Sequence, residues 1–192
     1  MRRKVVAVVG SAECDPGTPE WERAYHIGKL LAWQGYRVLT GGLGGVMEAA
    51  LAGAKASENY REGGTVALLP SFCPETANPC ADIVIATGAD LYMNAMVANA
   101  DAVVAIGGGA GTLSEIAMAL ERGRPVFACR DISGSSGLAA QLSKELSSPG
   151  RLYTVKSAPE VAAALTKAIG KGGAPGEETD DSRDRLCPPG GG

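Results

Sequence analysis

Apolar residues recur along this chain in two alternating rhythms. Short runs of β-branched and small apolar residues fall at residues 5–9, 36–40, 65–69, 82–86, 101–106 and 125–129, with a shorter run at 152–155. Runs of that length, apolar at successive positions and bounded by glycine or polar residues, predict strands buried on both faces. Between them apolar positions recur every three or four residues, the spacing of one helix face. The predicted helices cover residues 18–34, 46–57, 90–100, 110–122, 138–146 and 159–169. Thr18 followed by Pro19 reads as an N-cap with proline at the first helical position, and Gly35 ends that helix. Residues 46–57 are rich in alanine and apolar nearly all round, so this helix is expected close against a sheet. Asp90 reads as the cap of a helix reaching Ala100. In the helix after residue 109 the predicted apolar stripe is Leu113, Ile116, Ala117 and Leu120.

Strands that alternate with helices predict an α/β fold: a Rossmann-like, doubly wound, mainly parallel sheet with helices on both faces. Residues 1–170 form a single domain in this reading. From residue 171 the chain is glycine, proline, glutamate and aspartate with almost no apolar residues. That composition cannot bury enough surface to offset chain entropy, so residues 171–192 are expected to be a disordered acidic tail.

Composition narrows the partners. The 192 residues are 45% hydrophobic and carry a net charge of −3, which argues against nucleic acid as a partner. No apolar run approaches the roughly 20 residues of a membrane-spanning helix, and the run after Arg2-Arg3-Lys4 is too short for a signal peptide. The five cysteines are scattered without a CxxC pair and there is one histidine, so no metal site is expected and a reducing cytoplasm fits best. That histidine, His26, sits among Trp21, Tyr25 and Ile27 and reads as structural.

In a doubly wound sheet, ligands bind beyond the carboxyl ends of the strands, where the strand order reverses. Three loops qualify: Gly10-Ser11 after the first strand, Gly41, Gly42 and Gly45 after the second, and Gly107-Gly108-Gly109-Ala110-Gly111-Thr112 after the fifth. No Gly-Lys-Ser/Thr follows any of them, and the first loop is not a GxGxxG fingerprint, so neither a nucleotide P-loop nor a conventional NAD site is predicted. The third loop joins a strand to a helix and holds four glycines in five residues. Each glycine costs backbone entropy, and a tight turn does not require so many. Glycines that let amides approach an anion at a helix N-terminus explain the excess. In the second loop, close helix–sheet packing is a competing reason for the glycines. Glu115 lies in the first turn of the helix after the third loop. It reads equally as a helix-dipole carboxylate or as a catalytic group facing a ribose.

The stretch Gly107-Gly108-Gly109-Ala110-Gly111-Thr112-Leu113-Ser114-Glu115 resembles the PGGxGTxxE signature of the LOG ("lonely guy") proteins. Thr40-Gly41-Gly42 with Gly45-Val46-Met47-Glu48-Ala49-Ala50 and Gly53-Ala54 resembles that family's second glycine element. Leu69-Pro70, Ala77-Asn78-Pro79 and Ala86-Thr87-Gly88 are similar to the branch that contains the molybdenum-cofactor carrier proteins. The resemblance spans about residues 5–165. It implies a Rossmann-like sheet, a phosphorylated, nucleotide-sized ligand and a homodimer or homotetramer. In the LOG enzymes the motif glutamate, here Glu115, works with an arginine to cleave a nucleoside 5′-monophosphate into free base and ribose 5-phosphate. The arginine position falls on Tyr92, the usual Arg-Asn pair being replaced by Tyr92-Met93 with Asn94 one step on. The motif's leading proline is Ile106.

Arginine grips phosphate with a planar fork of donors that tyrosine lacks. The resemblance therefore favours a protein that binds a nucleotide-like cofactor, with molybdenum cofactor the named candidate and no cofactor required for a reaction. The alternative is a LOG-type phosphoribohydrolase acting through Glu115. Tyr92 reads either as a stacking surface for a ring or as a structural tyrosine, and Asn94 as a further contact. Arg130 could stand in for the lost arginine, but pairing with Asp131 at the surface is favoured. Met93, Met96 and Val97 read as core or interface, and Met118 with Ala119, off the predicted stripe, as a subunit interface.

Overall fold

In the computed structural model, which describes residues 2–142, 145 and 147–172, seven strands form one sheet. The strands are β1 (Val5–Gly10), β2 (Arg37–Thr40), β3 (Thr65–Leu69), β4 (Ile83–Ala86), β5 (Ala102–Ile106), β6 (Val126–Cys129) and β7 (Leu152–Val155). All neighbours pair in parallel, in the order β4-β3-β2-β1-β5-β6-β7. The helices are α1 (Pro19–Trp33), α2 (Val46–Lys55), α3 (Met93–Val97), α4 (Ala110–Glu121), α5 (Ser135–Leu142) and α6 (Ala158–Ile169). The predicted α/β architecture is thus the one observed.

Strand periodicity divides the core. Val6, Val8, Val38, Val104 and Phe127 point to the face covered by α1, α2 and α6, while Ala7, Val9, Leu39, Val103 and Val126 point to the face covered by α3, α4 and α5. Strand order reverses between β1 and β5, and there the loops after these strands separate into a crevice.

Glycine sets the spacing of α1 and α2. A Cβ on Gly28 would overlap the Ala50 carbonyl, and one on Gly53 would overlap the Tyr25 carbonyl. The small residues of α2 therefore serve a close helix–helix approach as well as the sheet. Lys55 from the end of α2 clamps the start of β4 by pairing with Asp82 at 2.6 Å. Asp82 also accepts from the Tyr60 hydroxyl and from the amides of Gly64 and Thr65. Burial opposes its ionisation, but the Lys55 and Tyr60 bonds outweigh it and draw the carboxyl down to about 2.

Three elements differ from expectation. The helix expected over residues 90–100 is a 3₁₀ turn, Asp90–Tyr92, followed by the single α-turn of α3. Asp90 does not cap it. Its φ is +46°, and its amide is tied to the Pro70 carbonyl at 3.0 Å. The following residues turn through 3₁₀-type bonds from Asn99 and Ala100 toward β5, leaving no length for a longer helix. Helix α5 begins at Ser135 and not at residue 138, because Ser135 and Ser136 fasten its start to the glycine loop; residues 143, 144 and 146 of the expected helix lie outside the described residues. In α4 the buried residues are Thr112, Glu115, Ile116, Ala119 and Leu120, while Leu113 and Ala117 face solvent. Ala119 is thus core within one chain and not part of a subunit interface; Met118 packs partly buried against the same cluster.

Most of the expected tail lies outside the described residues. Lys171 and Gly172 are described, and Gly172 is buried, exchanging backbone bonds with Gln34 and Lys4.

Candidate functional site

The loop from β5 to α4 turns on two left-handed glycines, Gly107 at φ +60° and Gly108 at φ +85°. A Cβ on Gly108 would also collide with the Thr112 side chain. Both positions need glycine for the chain path. Gly109 does not: its φ is negative, and a Cβ there would meet nothing within 4 Å. Gly111 is almost as open, with only the Asn94 side chain at 3.8 Å. Half of the loop's glycines therefore keep space clear in front of the helix. The amides of Gly109, Ala110, Gly111 and Thr112 face that end of α4 and donate no hydrogen bond among the described residues. The Thr112 hydroxyl likewise has no partner there. Four free N–H groups at the positive end of a helix dipole, with open space before them, form a cradle of the shape and polarity that can receive an anion.

Residues that sequence reasoning missed hold this cradle. Ser136 Oγ accepts from the Gly107 amide at 2.8 Å and donates to the Cys129 carbonyl at 2.8 Å, all of it buried. The Ser135 hydroxyl donates to the Gly109 carbonyl at 2.6 Å, and the amides of Ser135 and Ser136 bind the Gly108 and Gly107 carbonyls. The only signal was the cluster of small polar residues Ser133-Gly134-Ser135-Ser136, which reads from sequence as an ordinary loop.

Glu115 lies one helical turn after Thr112, on the same side of α4 as Ile116 and Ala119. It is only 8% exposed and has no hydrogen-bonding or ionic partner among the described residues. Burial alone pushes its carboxyl up to about 8. That shift favours the protonated acid near neutral pH. Glu115 lies beyond the first turn of α4, which holds no acidic residue, so it is not placed as the expected first-turn carboxylate.

Asn94 is buried. Its side-chain amide donates to Ser114 Oγ at 2.8 Å, which ties α3 to the N-terminal half of α4. Tyr92 is 82% exposed rather than partly buried, and Leu91 and Phe72 beside the same sheet edge are also open. Gly88 makes room for the Phe72 ring, since a Cβ there would overlap it. Arg130 is exposed and makes no side-chain bond among the described residues. Asp131 pairs instead with Arg23 through two hydrogen bonds of 3.1 and 2.9 Å, because Arg23 reaches across from α1.

The other two predicted loops are bound into the scaffold. Ser11 turns its hydroxyl onto the backbone of Glu13, and its carbonyl accepts from the Val46 amide at 2.9 Å. Gly10 permits close approach to the Ile106 carbonyl and to Val46. Gly42 and Gly45 have φ of +72° and +62° and sit against Ala67 and the Ser11 carbonyl. Gly41 lies under Met47 and Met93. Between the first and third loops, on the α1 side, is a cavity of about 380 Å³ lined by Ser11, Gly107, Gly108 and three carboxylates, Glu13, Asp15 and Glu20. Among the described residues no lysine or arginine lines it. Among the described residues no group of His, Cys, Asp and Glu is arranged to hold a metal ion.

A doubly wound parallel sheet with a glycine loop at its switch point, a buried glutamate one turn into the following helix and a second glycine element after β2 defines a LOG-like Rossmann protein. The chain belongs to the SLOG cluster4 family, whose profile matches residues 3–163. It is 33% identical to the molybdenum cofactor binding protein of the phototrophic bacterium Rippkaea orientalis, with a TM-score of 0.74 over 88% of this chain and 99% of that one. It is 28% identical to the molybdenum cofactor carrier protein of Chlamydomonas reinhardtii, with a TM-score of 0.71 over 88% and 100%. An uncharacterized protein of Archaeoglobus fulgidus is 42% identical over 127 residues, 66% of this chain and 80% of that one. No helix among the described residues is long and apolar enough to cross a membrane.

Proposed function

We propose that this protein binds a phosphorylated, nucleotide-like cofactor of the molybdenum-cofactor type at the carboxyl edge of its sheet and holds it without chemical turnover. The observation that carries this reading is the set of four unbonded amides of residues 109–112 behind the open space at Gly109. The phosphate sits there, on the α4 side. Glu13, Asp15 and Glu20 on the α1 side repel a second anion but accept hydrogen bonds from ligand hydroxyl or amino groups. Tyr92 and Phe72 offer flat exposed rings to the ligand's ring system. The carrier proteins among the structural neighbours support a cofactor of this class. The same reading includes a homodimer or homotetramer.

Glu115 favours a second reading. A carboxyl protonated at neutral pH is suited to donate a proton to a departing base, as a phosphoribohydrolase needs. The family's arginine position holds Tyr92, which has no fork of donors to grip a phosphate, and this weighs against it.

Calorimetry with AMP, GMP and a pterin phosphate, run beside chromatography for released base, separates the two. Saturable binding with intact ligand is expected. Base release that vanishes in Glu115→Gln would overturn the carrier reading. Gly109→Ala is expected to fold normally yet weaken phosphate-ligand binding about tenfold, because its methyl occupies the cradle without straining the chain.

A further inference from the structure

The amino edge of the sheet, opposite the glycine loop, holds a polar cavity of about 530 Å³. Five elements meet there. Lys4 precedes β1, Asp101 precedes β5, Arg124 precedes β6, Arg151 precedes β7, and Ile169 ends α6. Strand β5, five residues long, separates this cavity from the cradle by about 17 Å at roughly 3.3 Å per residue.

Three cations thus line one cavity in a chain of net charge −3. Mutual repulsion opposes that arrangement, so something must compensate it. Asp101 offsets part of that charge, acting on Arg124 as well as on Arg2. Its oxygens take the Arg2 guanidinium at 2.8 and 2.6 Å and the Val5 amide at 2.8 Å. Lys4 donates to the Ile169 carbonyl, a free carbonyl at the end of α6. Arg124 makes one bond, at 3.3 Å, to the Asn99 side chain, and its Nε is sealed from water without an acceptor. The exposed Arg151 guanidinium has no side-chain partner among the described residues. Arg124 and Arg151 line the same cavity, and paired guanidinium groups match the oxygens of a phosphate.

We propose that this cavity is a second anion site, taking a small phosphate-class oxyanion between Arg124 and Arg151, with Lys4 adding charge. The site is independent of the cofactor cradle and of the function read from it.

The test is an NMR titration of the full chain with inorganic phosphate and with pyrophosphate, following backbone amides. Saturable shifts are expected at Gly123, Arg151 and Tyr153, weakening as salt is raised. Arg151→Ala should weaken this set roughly tenfold and leave shifts at residues 109–112 unchanged. Gly109→Ala should do the reverse. Arg151 is exposed, so its variant tests the site without disturbing the fold. Absence of shifts at Gly123 and Arg151, whatever happens at the cradle, overturns the proposal. So does a response at this edge that Arg151→Ala leaves unaltered.

Discussion

Glu115 ionises near 4.5 when the chain is unfolded and near 8 when it is folded. Between these values the folded chain keeps a proton that the unfolded chain has lost. Raising pH therefore favours unfolding across this window, with the penalty absent below about 4.5 and complete above about 8. Glu115→Gln should remove this slope and raise the melting temperature at pH 8, as denaturation across pH 5–9 would read. A slope that survives the substitution would mean the carboxyl is solvated. Ser136→Ala strands the Gly107 amide and the Cys129 carbonyl in a buried site, at about 2 kcal/mol, and should weaken ligand binding as the cradle loosens. Urea unfolding and calorimetry measure the two effects. The motif glycines and Glu115 were legible from sequence because their residue types are unusual at their positions. Ser135 and Ser136 were not, because they reach the loop from across β6.

Among the elements, α1 and α2 depend on Gly28 and Gly53. Gly53→Ala should destabilise by about 2 kcal/mol or more, although alanine is the better helix former, since the added methyl meets a backbone carbonyl that cannot move away. Thermal unfolding of the variant would decide it, and a gain in stability would mean that the helices can separate freely. The α1 cap at Thr18 and the limits of β3 and β7 were visible in the sequence. The phase of α4 was not. Its apolar residues allow more than one face, and packing of Ile116, Ala119 and Leu120 against the sheet buries the one that carries Glu115. The shortening of the expected 90–100 helix was hidden for a similar reason, since the bond from Asp90 to Pro70 joins two separate loops.

Across the whole molecule, the α3 side of the sheet ends unevenly. Edge strand β4 leaves Ile83 and Ile85 open there, and α3 is too short to cover them. Met96 on α3 is open as well. An apolar edge of this kind suits burial against a second copy. Light scattering should show an oligomer, and Ile85→Lys should shift it toward monomer without loss of fold; a wild-type monomer would count against the homodimer or homotetramer reading.

The order of strands and helices, the fold class and the position of the glycine loop could all be read from the chain, because each rests on local periodicity and on residue types with few alternative uses. Strand order, the partners of Asp131 and Asn94, the serine support of the loop and the burial of Glu115 were decided only by tertiary packing, which joins residues distant in sequence and sets their solvation. The loop from β5 to α4 shows both. Its glycines read from sequence as an expected anion site, but only the packed structure separates the two that shape the turn from the two with open space before them.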